Sequence, residues 1–262
     1  MMLQIDGSPH DWLEGRGPRL TLVGAKDDAV SFVWAHFEEA ETTWGYMDLM
    51  KDVFTSKGLP LSLYSDRHTI FHSPKEPTIV EQINNVRPLT QFGRAMEEMG
   101  ITIIKAWSAP AKGRVENQWK TFQDRLVVEL RLAGARTREE ANRVLEWFLK
   151  DYNRRFCVAA RKQEPVFRPS PSPSKMDRIL CLKETRTVAK DHTISFEGLI
   201  LQIPPSRKFH SIARQKVQVL QLKDGSVEIV YKQQTVARFR PEAVKRLVEK
   251  CKDEKTQLKK AA

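Results

Sequence analysis

Three cysteines in 262 residues leave little scope for sulfur chemistry. Cys157, Cys181 and Cys251 stand far apart, form no CxxC pair and match no zinc-ligand spacing. A disulfide framework, a dithiol redox motif and a cysteine-based zinc site are therefore excluded, and the thiols are expected to be reduced and non-catalytic. No apolar run approaches the roughly 18 residues of a membrane-spanning helix. The opening stretch MMLQIDGSPHDW lacks the basic and apolar regions of a secretory signal. A cytoplasmic protein with no membrane partner is expected. What remains is a chain with 40% hydrophobic residues, enough for a substantial core and long enough for one large or two ordinary domains.

Negative charge is scarce in one part of the chain. The formal net charge is +11. Residues 1–164 hold 23 Lys/Arg and 23 Asp/Glu, whereas residues 165–262 hold 21 and 10, so the whole excess lies in the carboxy-terminal part. A basic module points to a polyanion such as nucleic acid, with a solvated basic surface as the alternative. Near this shift stands FRPSPSPSKMD (167–177), where Pro169, Pro171 and Pro173 alternate with serines. Proline removes amide donors, so the stretch reads as a linker. The expected organisation is a core over 1–165, a linker over 166–180, a small β module over 181–240 and a basic helix or tail over 241–262.

Within the core, alternating apolar residues predict strands at 3–6, 19–28 and 29–37, with Asp27-Asp28 as a turn. A helix is predicted from Thr43, as N-cap, to Lys57, followed by Gly58 and Pro60. Strands at 61–65 and 101–106 flank an irregular stretch over 67–88 and a helix over 90–100. Val115, Trp119, Phe122, Leu126 and Leu130 recur every three or four residues and predict an amphipathic helix from 113 to 132. Thr137 and Glu140 form a capping box for a helix over 138–152. The order βββαβαβαα implies an α/β fold: a mixed five-stranded sheet with helices on both faces, as in the ribonuclease H-like fold.

Three carboxylates fall at telling places on this scaffold. Asp6 is expected at the end of the first strand, Asp66 at the end of the fourth, and Glu116 early in the helix after the fifth. If the first and fourth strands are neighbours, Asp6 and Asp66 emerge side by side, and the helix has only to cross their ends. Three such carboxylates repel unless cations fill the space between them. Hard oxygen ligands suit Mg²⁺ or Mn²⁺, and a two-ion site serves in-line phosphoryl transfer. Asp6 is expected to bridge both ions.

The stretches LQIDGSPHDWLEGRGPRLTLVGAKDDAV, LYSDRHTIF, LTQFGRAMEEMGI and SAPAKGRVENQWKTFQDRL and its continuation to Phe156 resemble the catalytic core of DDE transposases. The superfamily is that of the retroviral integrase core, and the likeness is to bacterial insertion-sequence transposases of the ISNCY type over most of residues 2–157. The resemblance implies that the acids of QIDGSPHDW, YSDRH and AKGRVE, here Asp6, Asp66 and Glu116, are the metal ligands. It implies divalent-metal-dependent DNA cleavage and strand transfer, transposon-end and target DNA as partners, and a homo-oligomer on DNA, located at the nucleoid when bound. The spacing of 50 positions between Asp66 and Glu116 exceeds that of the retroviral branch. With the first strand expected almost at Met1, no counterpart of the family's amino-terminal helix-turn-helix domains is expected in this sequence. The alternative reading is therefore a shortened, catalytically idle DNA-binding or assembly protein. Lys26 and Asn117 depart from the family's residues at their positions without removing a ligand. The carboxy-terminal runs RTVAKDHTISFEGLILQIP and KVQVLQLKDGSVEIVYKQQTVARF, with an Asp224-Gly225 turn, resemble the family's SH3-like, DNA-binding barrel.

Other residues carry weaker signals. Lys112, Arg114 and Lys120 flank Glu116 and would face DNA phosphates, or would form an ordinary exposed helix face. His68 would position a phosphate or water, or is a plain loop histidine; His72 follows it at helical spacing but in a stretch without periodicity. Asp11 lies outside the first strand. Asp27 and Asp28 suit a turn for backbone reasons. Trp107 and Trp119 read as core rather than as base-stacking platforms. A nuclease acting on RNA is the weakest reading.

Overall fold

The amino-terminal strands are present in the computed structural model, but the first runs further than its apolar pattern. The structure describes residues 2–83, 87–106, 113–160, 167–205 and 208–248, with the backbone alone for 80–81 and 113–116. Strand β1 (Met2–His10) pairs antiparallel with β2 (Leu20–Asp27), from Leu3↔Asp27 to His10↔Leu20. Asp6 therefore stands inside the strand, not at its end, because the hairpin carries β1 four residues beyond it. Pro9 is accommodated where β1 no longer has a second neighbour to which an N–H would be donated. The expected Asp27-Asp28 turn forms as an Asx turn: Asp27 Oδ1 accepts from the amides of Ala29 (2.8 Å) and Val30 (3.2 Å). This turn delays β3 to Val33–Glu38.

Helix α1 (Thr43–Ser56) begins one residue earlier than Thr43 as N-cap would require. Thr42 is the cap, its hydroxyl accepting from Gly45 N at 3.1 Å. Then come β4 (Ser62–Ser65), a short α2 (Ile79–Ile83) inside the stretch read as irregular, α3 (Gln91–Glu98), β5 (Thr102–Lys105), α4 (Gly113–Leu132) and α5 (Arg138–Phe156). Thr137 and Glu140 make the capping box at the start of α5, which extends four residues past the predicted end.

The five strands form one mixed sheet in the order β3-β2-β1-β4-β5. Its pairs β1–β4 and β4–β5 are parallel. Even-numbered residues of β2, Leu20 and Leu22, join Val33 and Phe37 under Trp119, Phe122, Leu126, Leu130, Leu145 and Phe148 of α4 and α5. Leu3, Ile5, Val23 and Ala25, of opposite parity, are fully buried, as are Tyr46, Leu49, Met50 and Val53 of α1. A sheet covered on both faces explains why β2 is apolar almost throughout.

Two devices close the borders of this unit. The outer backbone of edge strand β3 is capped from α5. Asn153 Oδ1 accepts from Val33 N (2.9 Å) and its Nδ2 donates to Val33 O (2.8 Å). Asn142 does the same at Phe37, at 2.7 and 3.0 Å. Such amides occupy positions an intruding strand would use. At the opposite end of the strands, Arg168 pairs its backbone with Leu59 (2.8 and 2.9 Å), and its Nη2 donates to Met99 O (3.0 Å) and Gly100 O (2.7 Å), the open carbonyls after α3.

The chain splits into two compact units at Ser172/Pro173. The Pro/Ser stretch is not extended throughout: α6 (Pro173–Ile179) starts on its last proline, since the first helical position needs no amide donor. In the second unit β6 (Leu182–Thr187), β9 (Lys216–Gln221), β10 (Val227–Tyr231) and β11 (Gln234–Phe239) form an antiparallel sheet in the order β11-β10-β9-β6, and β7 (Thr193–Phe196) and β8 (Leu199–Gln202) form a hairpin. Ile194, Phe196, Leu199, Leu201, Val217, Val219, Val227 and Ile229 share one core. Gly225, at φ +83°, completes the turn into β10. Residues 241–248 are helical. Cys251, Lys112 and Trp107 lie outside the described residues.

Candidate functional site

Strand register brings two of the three predicted acids to one level. The β1–β4 pairs Met2↔Ser62, Leu3↔Leu63 and Gln4↔Tyr64 have a constant offset of 60. Continued by two residues, that offset sets Asp6 opposite Asp66. The paired stretch ends before them, so both stand where β1 and β4 part, at the carboxyl end of β4. Each is half-buried.

Each carboxylate is aimed by a neutral N–H. Asp6 Oδ2 accepts from Trp119 Nε1 at 3.1 Å. Asp66 Oδ1 accepts from the backbone amide of His68 at 2.9 Å, an Asx turn that bends the chain away after β4. The aromatic core reaches the same place from below. Tyr46 is fully buried against Phe71 and Phe92, and its hydroxyl donates to Glu41 Oε1 at 2.5 Å. Burial, then the charge of Glu41, push the phenol well above its ordinary range; the carboxylates of Asp6 and Asp66 act on it in the same direction. Tyr46 is thus held as a proton donor to Glu41. Glu41 lies against the Cα of Gly7: a Cβ there would meet its carboxylate at 2.9 Å, so any larger residue next to Asp6 would make the Glu41 side chain shift.

Glu116 falls in the first turn of α4, one turn before Trp119, where the backbone alone is described. Its side chain and that of Arg114 lie outside the described residues, as does Lys112. Among the described residues no group of three or more His, Cys, Asp or Glu side chains gathers closely enough to hold a metal ion. The approach of α4 is nonetheless visible through Trp119. In the β1–β2 register Gly24 faces Asp6. A Cβ on Gly24 would meet Trp119 Cη2 at 2.2 Å and Cζ2 at 2.9 Å, so the indole lies directly over the glycine. One turn on, Gln123 Nε2 donates to Ser8 Oγ at 3.1 Å.

The remaining predicted residues separate. Lys120 and Asn117 are exposed on α4. Lys26, on the face that α4 covers, donates to Gln118 Oε1 at 3.3 Å, which Tyr152 Oη also reaches at 3.1 Å. The charge at that strand position is therefore met by a polar contact rather than by an edge. His68 is exposed, and its Nδ1 accepts from Ile70 N at 3.2 Å. His72 is the more enclosed of the pair: its Nε2 lies 3.2 Å from Ser65 Oγ, immediately before Asp66. Burial, then Lys105, lower its pKa from the ordinary imidazole value. The two histidines do share a helical turn, with His72 N donating to His68 O at 3.1 Å. Asp11 accepts from Gly15 N at 3.1 Å within the turn after β1. Sequence reasoning missed Tyr46, Glu41 and Gly24. Only Gly24 carried a local signal, an isolated glycine between bulky strand residues.

No family model matches the chain. It is 32% identical over 233 residues to the putative transposase y4bF of Sinorhizobium fredii, covering 88% of this chain and 50% of that protein. It is 31% identical over 234 residues to the transposase for insertion sequence IS1202 of Streptococcus pneumoniae, covering 86% of this chain and 48% of that protein. The chain thus spans about half the length of the curated relatives it matches. Among solved structures, the catalytic core domain of BIV integrase aligns with a TM-score of 0.39 at 17% identity, over 56% of this chain and 80% of that one.

Proposed function

From the premise that this chain belongs to the DDE transposase and integrase superfamily, we propose that it is the catalytic region of an insertion-sequence transposase. In this reading water cleaves a DNA phosphodiester at the transposon end and frees a 3′-hydroxyl. That hydroxyl then attacks a phosphodiester of the target, joining the strands and releasing a new 3′-hydroxyl. The observation that carries the reading is the β1–β4 register, which sets Asp6 and Asp66 on one level beside a helix that bears Glu116.

Asp6, Asp66 and Glu116 would hold the divalent cations, Mg²⁺ or Mn²⁺. The donor set fits such ions: hard carboxylate oxygens, aimed in the case of Asp6 and Asp66 by N–H groups that orient without cancelling charge. When bound, divalent cations neutralise phosphate charge and favour both the attacking and the leaving oxygen. The protein's own groups do the rest. The Asx turn at His68 orients the Asp66 carboxylate, and the ends of β1 and β4 would receive the duplex. Lys120, and with it Lys112 and Arg114, would receive the phosphate backbone, and His68 would position a phosphate or water. The basic second unit, read as the family's SH3-like barrel, would hold flanking DNA. Transposon-end and target DNA are the proposed partners, engaged by a homo-oligomer at the nucleoid.

The test is strand cleavage on a supercoiled plasmid with Mn²⁺, comparing the wild-type chain with Asp6→Asn and Glu116→Gln. Metal-dependent nicking that both substitutions abolish is the expected result. DNA binding without nicking in any of the three would favour the idle DNA-binding protein instead.

A further inference from the structure

Resting on that reading of the acidic centre, we infer that Trp119 is a positioning residue for it. Its indole N–H sets the Asp6 carboxylate for a divalent cation and ties the helix carrying Glu116 to that carboxylate.

Packing alone does not call for a tryptophan here. The stripe of α4 is otherwise filled by Phe122, Leu126 and Leu130, and either residue type would cover the sheet. The indole does two further things. Its six-membered ring enters a space that exists only because Gly24 has no side chain. Its N–H then ends 3.1 Å from Asp6 Oδ2, on the residue that faces Gly24 across the β1–β2 pair. Glycine, indole and carboxylate thus form one contact from three chain segments.

Apolar burial is non-directional, so polar contacts add to the seating of a helix along a sheet. Two polar contacts fix α4 along β1. Trp119 meets Asp6 and Gln123 meets Ser8. Four helical residues rise about 6 Å, and two strand residues span about 6.6 Å, so the two contacts match in step. A slip of one helical residue would break both and turn Glu116 by about 100° about the helix axis. The chemistry of the donor also suits a cation site. An indole N–H is a donor only and carries no charge, so it orients the carboxylate without competing for it as Lys or Arg would. Partners of this kind, one step behind a ligand, set metal affinity by fixing ligand orientation.

The experiment is Mn²⁺ binding to the metal-free full chain by titration calorimetry. Four proteins are compared: wild type, Asp6→Asn, Trp119→Phe, and a chain with the benzothiophene isostere of tryptophan at position 119. The isostere keeps the ring shape and removes only the N–H, so it remains informative if Trp119→Phe fails to fold. The expected result is an Asp6-dependent site in the wild type whose affinity falls about tenfold in the isostere protein. Its thermal midpoint should fall by only a few degrees, the cost of one hydrogen bond, and the Mn²⁺ concentration for half-maximal cleavage should rise by the same factor. An Asp6-dependent site with unchanged affinity in the isostere protein would overturn the inference and leave the proposed centre standing. Mn²⁺ binding that is absent, or indifferent to Asp6→Asn, would remove the centre and the inference together.

Discussion

Gly24→Ala is the smallest change that tests how α4 is seated. Gly24 lies in a strand at a backbone conformation open to alanine, so the perturbation is steric. The new Cβ would stand 2.2 Å from Trp119 Cη2, and 3.2 Å from Trp34 O on the other side. Carbon atoms pack at about 3.5 Å or more, so the indole must retreat by roughly 1.3 Å. It cannot leave by a simple rotation: Trp119 is 4% exposed and meets Phe122 edge-to-face with ring centroids 5.7 Å apart. Overpacking of this kind costs about 1–3 kcal/mol, and loss of the bond to Asp6 adds about 1–2 kcal/mol. Restricting the unfolded chain returns about 0.5–1 kcal/mol. The net expectation is a loss of about 1–4 kcal/mol by urea unfolding of the full chain, the balance of those terms. In a Trp119→Leu background the ring is gone, and Gly24→Ala should be neutral or slightly stabilising. The coupling between the two sites is then expected at about 1–4 kcal/mol, reaching past the usual range for touching residues. An equal cost of Gly24→Ala in both backgrounds would refute the account of how α4 meets the sheet.

Other outcomes follow from the same geometry. Asn142→Ala and Asn153→Ala should each cost about 1–3 kcal/mol, because each leaves an N–H and a C=O of β3 without its partner; faster hydrogen exchange confined to Phe37 and Val33 respectively would locate the loss. Arg168→Ala should destabilise by a similar amount, about 1–3 kcal/mol, with Arg168→Lys intermediate, since one ammonium cannot span the carbonyls of Met99 and Gly100 as the guanidinium does. Glu14 is held at about 2 by hydrogen bonds from Arg131 and then Arg16. Its contribution is complete above the ordinary carboxylate value and is lost as pH falls toward that lowered one, so the stability gap between wild type and Glu14→Gln should close on acidification from pH 5 to pH 2.5 in parallel unfolding curves. Asp27 behaves oppositely. Burial raises its pKa, so the folded state takes up a proton before the unfolded chain does and this group favours folding as pH falls. Asp27→Asn, which keeps an acceptor for the Ala29 and Val30 amides, should stabilise the protein at neutral pH and lose that advantage in acid.

Much of the fold was written in short stretches. The step of three and four residues from Val115 to Leu130 set the limits of α4, and Thr137 with Glu140 marked the start of α5, because helical periodicity and end-capping are settled within one or two turns. Asp27 closed its turn through amides two and three residues away. The same local rules erred where a neighbour extended an element: β1 ran on past Asp6 because β2 was there to pair with it, and α5 ran on to Phe156. The resemblance carried by the acidic motifs named the superfamily that the sequence relatives support.

The candidate site was legible only as residue types. That Asp6 and Asp66 fall at one level depends on the offset of 60 between β1 and β4, and a slip of one residue would send one of them to the opposite face of the sheet. That Gly24 receives an indole from 95 positions away, or that Tyr46 packs against Phe71 and Phe92, leaves no periodic trace in the chain. The sequence alone determined which segments become helix or strand and which acids were candidates, because those choices rest on backbone geometry and on neighbours a few residues away. Only the tertiary structure decided which side chains share a space, because strand register and helix seating are fixed by contacts between distant segments, each chosen in competition with water and with every other packing of the same apolar faces.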